Sequence, residues 1–224
     1  METYLPPILA VIIGVVLAFI TTNNKQNYTK LLLSFSGAFL LAITLFDLLP
    51  EVYHNLDTKT TGLCIMSGIL LQIILEFFSK GAEHGHVHIH KNETTFPWTL
   101  FISLCLHSFL EGFPIHEHND MVYGVIIHKI PIAALISTFL IQSNFSKLQI
   151  ISFLIVFTFM TPLGTFTSNA LDIPAQYLTI INAIVIGVFF HISTTILFES
   201  SEGHKFNLSK LIVIILGVGI AYFI

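Results

Sequence analysis

Arginine does not occur in this chain, and charge of either sign is scarce: nine lysines and thirteen acids among 224 residues, or 10%. A soluble domain carries about a quarter charged residues, so an ordinary water-facing surface is excluded. The formal net charge is −4 with histidine neutral, so nothing suggests nucleic acid. There are only two cysteines, Cys64 and Cys105, both inside apolar stretches. That excludes a disulfide framework and suits small buried core residues. No basic n-region precedes the first apolar stretch, which opens Met1-Glu2-Thr3, so a cleaved signal peptide is not expected and the stretch should persist as a helix.

Apolar residues, by contrast, make up 54% of the chain, and mean hydropathy is +0.84. About twenty apolar residues span a bilayer as a helix. Eight apolar segments can be marked, approximately 5–22, 31–50, 61–79, 97–116, 121–141, 148–167, 176–198 and 208–224. The expected fold class is an all-α membrane protein with eight transmembrane helices in one transmembrane domain, residues 1–224. Connections are short, and the only sizeable loop is 80–96.

Lysine sets the expected orientation. Lys25, Lys30, Lys80, Lys91, Lys147, Lys205 and Lys210 fall in alternate loops, whereas Lys59 lies in a loop of the other set. The positive-inside bias then places the loops after segments one, three, five and seven in the cytoplasm and both termini outside. A faint internal echo accompanies this. Gly37-Ala-Phe39-Leu-Leu-Ala-Ile-Thr44 resembles Gly187-Val-Phe189-Phe-His-Ile-Ser-Thr194, in segments that cross in opposite directions, as an inverted repeat requires.

Three good metal ligands lie where the bilayer least tolerates them. His107 and Glu111 are four residues apart and share one face of the fourth segment. The turn into the fifth segment falls near residue 118, so His107 and His128 each sit about 15 Å from the outer surface, near mid-bilayer. Adjacent antiparallel segments can bring all three side chains onto one ion. Ionisable groups at that depth face a partner or a water-filled path. Two imidazoles and a carboxylate suit Zn²⁺ and admit Fe²⁺, Mn²⁺ or Cd²⁺.

Other residues fall around this trio. Lys129 follows His128 and is too deep to reach either surface, so a carboxylate must neutralise it, with Glu111 the obvious one. Its ammonium can stand where a second cation would bind. Pro114 and Pro131 are expected to interrupt the two ligand-bearing helices, as in transporters whose broken helices line a cavity. Asp47 and Glu51, with His54, His116, Glu117, His118 and Asp120, can form an acidic entrance on the outer side that concentrates divalent cations. His191 lies at membrane depth and either lines the path or bonds a neighbour, and Glu76 and Glu199 lie toward the cytoplasmic ends. In the 80–96 loop, His84, His86, His88 and His90 form a cytoplasmic histidine tract of metal-binding composition.

The motif His107-Ser-Phe-Leu-Glu111-Gly112 resembles the fourth-helix signature of the Zrt/Irt-like (ZIP) metal transporters. His128-Lys129-x-Pro131 resembles that family's fifth-helix motif, and Asp47-Leu-Leu-Pro50-Glu51 the end of its second helix. The resemblance implies a ZIP-type inverted-repeat bundle, a homodimer, and movement of Zn²⁺ or similar ions into the cytoplasm by a sliding motion of a transport bundle. Compact loops point to a bacterial inner or other plasma membrane. Many family members hold two metals with a second Glu in the fifth helix. Here Ile132 stands at that position, and a single ion held by His107, Glu111 and His128 is expected.

The rival reading is an intramembrane zinc-dependent hydrolase using the same ligands with an open position for an activated water. Against it, the sequence has no His-Glu-x-x-His helix and no second acid placed as general base.

Overall fold

The computed structural model describes residues 3–21, 26–79, 96–115, 120–199 and 208–224. Among them the regular structure is helical and there is no strand: α1 (Leu5–Thr21), α2 (Gln26–Ile43), α3 (Leu49–Asn55), α4 (Thr58–Ser79), α5 (Trp98–Leu110), α6 (Met121–Gln142), α7 (Lys147–Ala170), α8 (Ala175–Glu199) and α9 (Leu208–Tyr222). A π-helical turn, Thr44–Leu48, joins α2 to α3 without a break. Five helices are long and apolar enough to cross a membrane, α2 and α3 counting as one from Thr29 to Asn55; α1, α5 and α9 are shorter apolar helices. Lipid offers no partners to backbone N–H and C=O groups, so helices, which satisfy them internally, are the form such segments take.

The helices pair in two groups. In one, α1 packs on α6, and α7 packs on both α5 and α1. In the other, α4 packs on α8, α9 on α2, and α2 on α8. Contacts of α2 with α6, and of α4 with α5, hold the groups together. The pairing has an internal symmetry: exchanging α1 with α7 and α5 with α6 maps the first group onto itself, and exchanging α2 with α8 and α4 with α9 maps the second. The Gly37 and Gly187 stretches sit on α2 and α8, the pair this exchange relates.

Local sequence explains several boundaries. Pro50 has no N–H and its ring crowds the carbonyl of residue 46, so the ladder widens there: Leu49 N–H bonds Thr44 O, one residue further back than in an α-helix. Ser146 caps α7, accepting from Gln149 N–H while the Gln149 side chain accepts from Ser146 N–H at 2.8 Å. Asp57 caps α4, accepting from the N–H groups of Lys59 and Thr60, each at 3.1 Å. The bond from Thr60 above all holds its carboxyl below the usual range.

Two differences from expectation concern the prolines. The helix expected over 97–116 ends at Leu110, and Pro114 lies in the turn beyond it. Pro131 does not interrupt α6, which runs through it to Gln142. One missing N–H removes a single ladder bond, and packing against α1 and α2 keeps the helix together.

Candidate metal centre

The end of α5 is held partly by its own last turn and partly by a neighbouring helix: the N–H groups of Glu111, Gly112 and Phe113 bond the carbonyls of His107, Phe109 and Leu110, and Ser108 O is left to α7. A helix end leaves four C=O groups without helical partners. Here α7 lies alongside, running the same way, and presents Thr161, Thr165 and Ser168 on one face. Thr161 donates to Ser108 O at 2.8 Å, Thr165 to Gly112 O at 2.9 Å and Ser168 to Phe113 O at 3.4 Å. The approach needs glycine on both sides. A Cβ on Gly164 would stand 2.0 Å from Phe109 O, and one on Gly112 would stand 2.3 Å from Thr161 O. Glu111 is the capping residue of α5, so its side chain issues from this supported turn.

The turn carries Glu111 to α6. His107 Nε2 is 2.8 Å from Glu111 Oε1, and His128 Nε2 is 3.7 Å from the same oxygen. The two imidazole rings stand nearly perpendicular with centroids 6.2 Å apart. One donor atom from each of the three residues lies within 4.8 Å of the other two. Tetrahedral zinc with bonds of about 2.0–2.2 Å separates its ligand atoms by about 3.3 Å, so the observed spacings bracket that value. His107, Glu111 and His128 are each at most 2% exposed. Among the described residues no other Cys, His, Asp or Glu joins the group.

The other carboxylate oxygen is taken. Lys129 Nζ donates to Glu111 Oε2 at 2.6 Å and to Ser108 Oγ at 2.9 Å, and it lies 5.0 Å from the centre of the Phe157 ring. Lys129 is itself 2% exposed, so carboxylate and ammonium form a neutral pair inside the bundle. Glu111 thus turns one oxygen to the imidazoles and the other to the ammonium.

The remaining expected residues lie elsewhere. Asp47 is half-buried in the π-helical turn, which packs on α6 and α8, and Glu51 is half-buried in α3; neither joins the trio. His191 bonds a neighbour: its Nε2 is 2.5 Å from Glu76 Oε2, bridging α8 and α4. His54 and Asp120 are exposed. The tract His84, His86, His88 and His90, together with His116, Glu117 and His118, lies outside the described residues. Sequence reading missed Thr161, Thr165, Ser168 and Phe157. The first three form a polar stripe at helical spacing around Gly164, a signal that was available.

The family model described as ZIP zinc transporter matches residues 79–224. Zinc transporter ZIP1 of Danio rerio is 32% identical over 87 residues, which cover 36% of this chain and 29% of that relative. The chain's match thus spans less than a third of that relative's length. The family match takes in α5, α6 and all three candidate ligands, and extends over well over half of the sequence: this membrane protein belongs to the ZIP zinc transporter family.

Proposed function

We propose that this protein carries a divalent metal ion, Zn²⁺ foremost, across a cell membrane into the cytoplasm, through alternating exposure of a site formed by His107, Glu111 and His128. The observation that carries the reading is the convergence of two imidazoles and a carboxylate, all buried, within 4.8 Å of one another on helices of a membrane bundle. Family membership and the name of the zebrafish relative support zinc; the same donors admit Fe²⁺, Mn²⁺ and Cd²⁺.

The steps follow from the chemistry of the residues. Asp47 and Glu51 recruit the hydrated cation electrostatically. The ion sheds water as two neutral imidazoles and the ionised carboxylate replace it. Protons compete for all three ligands, so loading strengthens as pH rises and weakens in acid. The site takes one ion: Lys129 stands beside Glu111 Oε2, where a second cation would need that oxygen, and Ile132 supplies no further acid. Movement of the group formed by α1, α5, α6 and α7 against the other then opens the site inward, where the histidine tract of residues 84–90 draws the ion off. Assembly as a homodimer, which rests on the family resemblance, and residence in a bacterial inner or other plasma membrane, which rests on the compact loops, belong to the same reading.

The family is one of transporters, which sets aside the zinc hydrolase, and among the described residues no second acid joins the trio to activate a water. The test is ⁶⁵Zn uptake by proteoliposomes. The wild type accumulates zinc, whereas His107→Ala and Glu111→Ala fall to the level of empty vesicles. Uptake by both variants at the wild-type rate would remove the assignment.

A further inference from the structure

Glu111 is divided between two cations: the ion that its Oε1 would hold with the imidazoles, and the ammonium that already holds its Oε2. We infer that Lys129 is a built-in counter-cation that weakens the site's grip on its metal, so that a buried ion can leave again. The inference rests on the metal-site reading above and adds a rate-setting role for a residue that is not a ligand.

The charge count carries it. With neutral imidazoles, Glu111 and Lys129 together make a site of zero net charge; without the ammonium the same site would be −1. A divalent cation therefore enters a neutral site instead of an anionic one, and the loaded site holds two like-charged centres a few ångströms apart in a poorly polarisable interior. The ammonium has nowhere to retreat. It is bonded to Glu111 and Ser108, it rests on the face of Phe157, and it is 2% exposed. Nor does another acid among the described residues join the group to offset it. The bond to Oε2 also keeps the carboxylate from gripping the ion with both oxygens. Permeation needs binding strong enough to strip water and weak enough to release. Two imidazoles and an unopposed buried carboxylate would hold zinc tightly; the lysine moderates them.

Zinc affinity of the purified full-length protein, measured by competition with a fluorescent chelator, tests this. Lys129→Met and Lys129→Gln should each lower the Kd by about tenfold or more. Lys129→Arg keeps the charge and should lie closer to the wild type than either. In proteoliposomes the neutral variants should show a lower KM together with a lower maximal rate, a split that simple misfolding does not produce. Adding His107→Ala to Lys129→Gln should erase the tightened binding. If both neutral variants bind zinc no more tightly than the wild type while His107→Ala still destroys binding, the lysine only props Glu111 and the inference is wrong. If His107→Ala leaves zinc binding intact in both backgrounds, the metal-site reading itself fails.

Discussion

Helices α4 and α8 run side by side in one direction and meet at Gly68 and Gly187, where an added Cβ would stand 1.9 Å from Ile184 O or 2.0 Å from Ile65 O. Helices α5 and α7 do the same at Gly112 and Gly164. Yet α4 and α8 continue past their crossing, and beyond it Glu76 and His191 make a polar link between them. Helix α5 stops at its crossing, and α7 donates hydroxyls to Ser108 O in its last turn and to Gly112 O just beyond. One packing device therefore yields two outcomes. Where both ladders stay intact it makes a continuous seam. Where one ladder ends, the last turn can bring His107 and Glu111 up to His128 of α6.

The sharpest break between the regions should come from the ligands. His107→Ala or Glu111→Ala should abolish ⁶⁵Zn uptake, whereas His191→Gln, in the continuous seam, should retain most of it and leave zinc affinity unchanged. Equal loss in all three would mean that the two regions share one function. Next in size, Gly164→Val and Gly187→Val should each destabilise the protein by about 3 kcal/mol or more, because the added Cβ meets backbone and not a movable side chain. Thermal unfolding in detergent measures this, and tolerance at either position would contradict the close crossing there.

A finer distinction separates hydroxyls by where they donate. Thr165→Val leaves Gly112 O without its donor and should cost about 1–2 kcal/mol, with a fall in zinc uptake as the Glu111 turn loosens. Thr195→Val removes only a bond to the carbonyl four residues back in its own helix, and should change the melting temperature little. Smallest of all, Asp57→Ala should lower the melting temperature slightly at neutral pH. The Asp57 carboxyl titrates below its ordinary range in the folded protein. Its contribution is thus present above the unfolded-state value and is lost as pH falls through the folded one, so the difference from the wild type should shrink in acid.

Much of this was legible in the residues themselves. Apolar runs marked the helices, because length and hydropathy alone decide what a bilayer accepts. His107, Glu111 and His128 stood out because ionisable groups at that depth are costly, and the pairing of Lys129 with Glu111 followed from the same cost. The end of α5 was legible only in part: Gly112 and Pro114 mark a stop just past Leu110, but not what holds it. Hydropathy continues from Leu110 through Phe113 and Ile115, and nothing local shows that α7 takes up the carbonyls of 108, 112 and 113. That information lies in residues 161–168, about fifty positions away, and becomes readable only once the helices are paired. Pro131 misled for the opposite reason: a proline weakens a helix locally, but tertiary packing decided that α6 continues.

Zinc K-edge X-ray absorption on the metal-loaded protein tests the coordination directly. The account predicts a first shell containing two imidazole nitrogens and carboxylate oxygen at about 2.0–2.2 Å, with the imidazole signal halved in His128→Ala. A shell of oxygens alone, or one that neither His107→Ala nor His128→Ala alters, would contradict it.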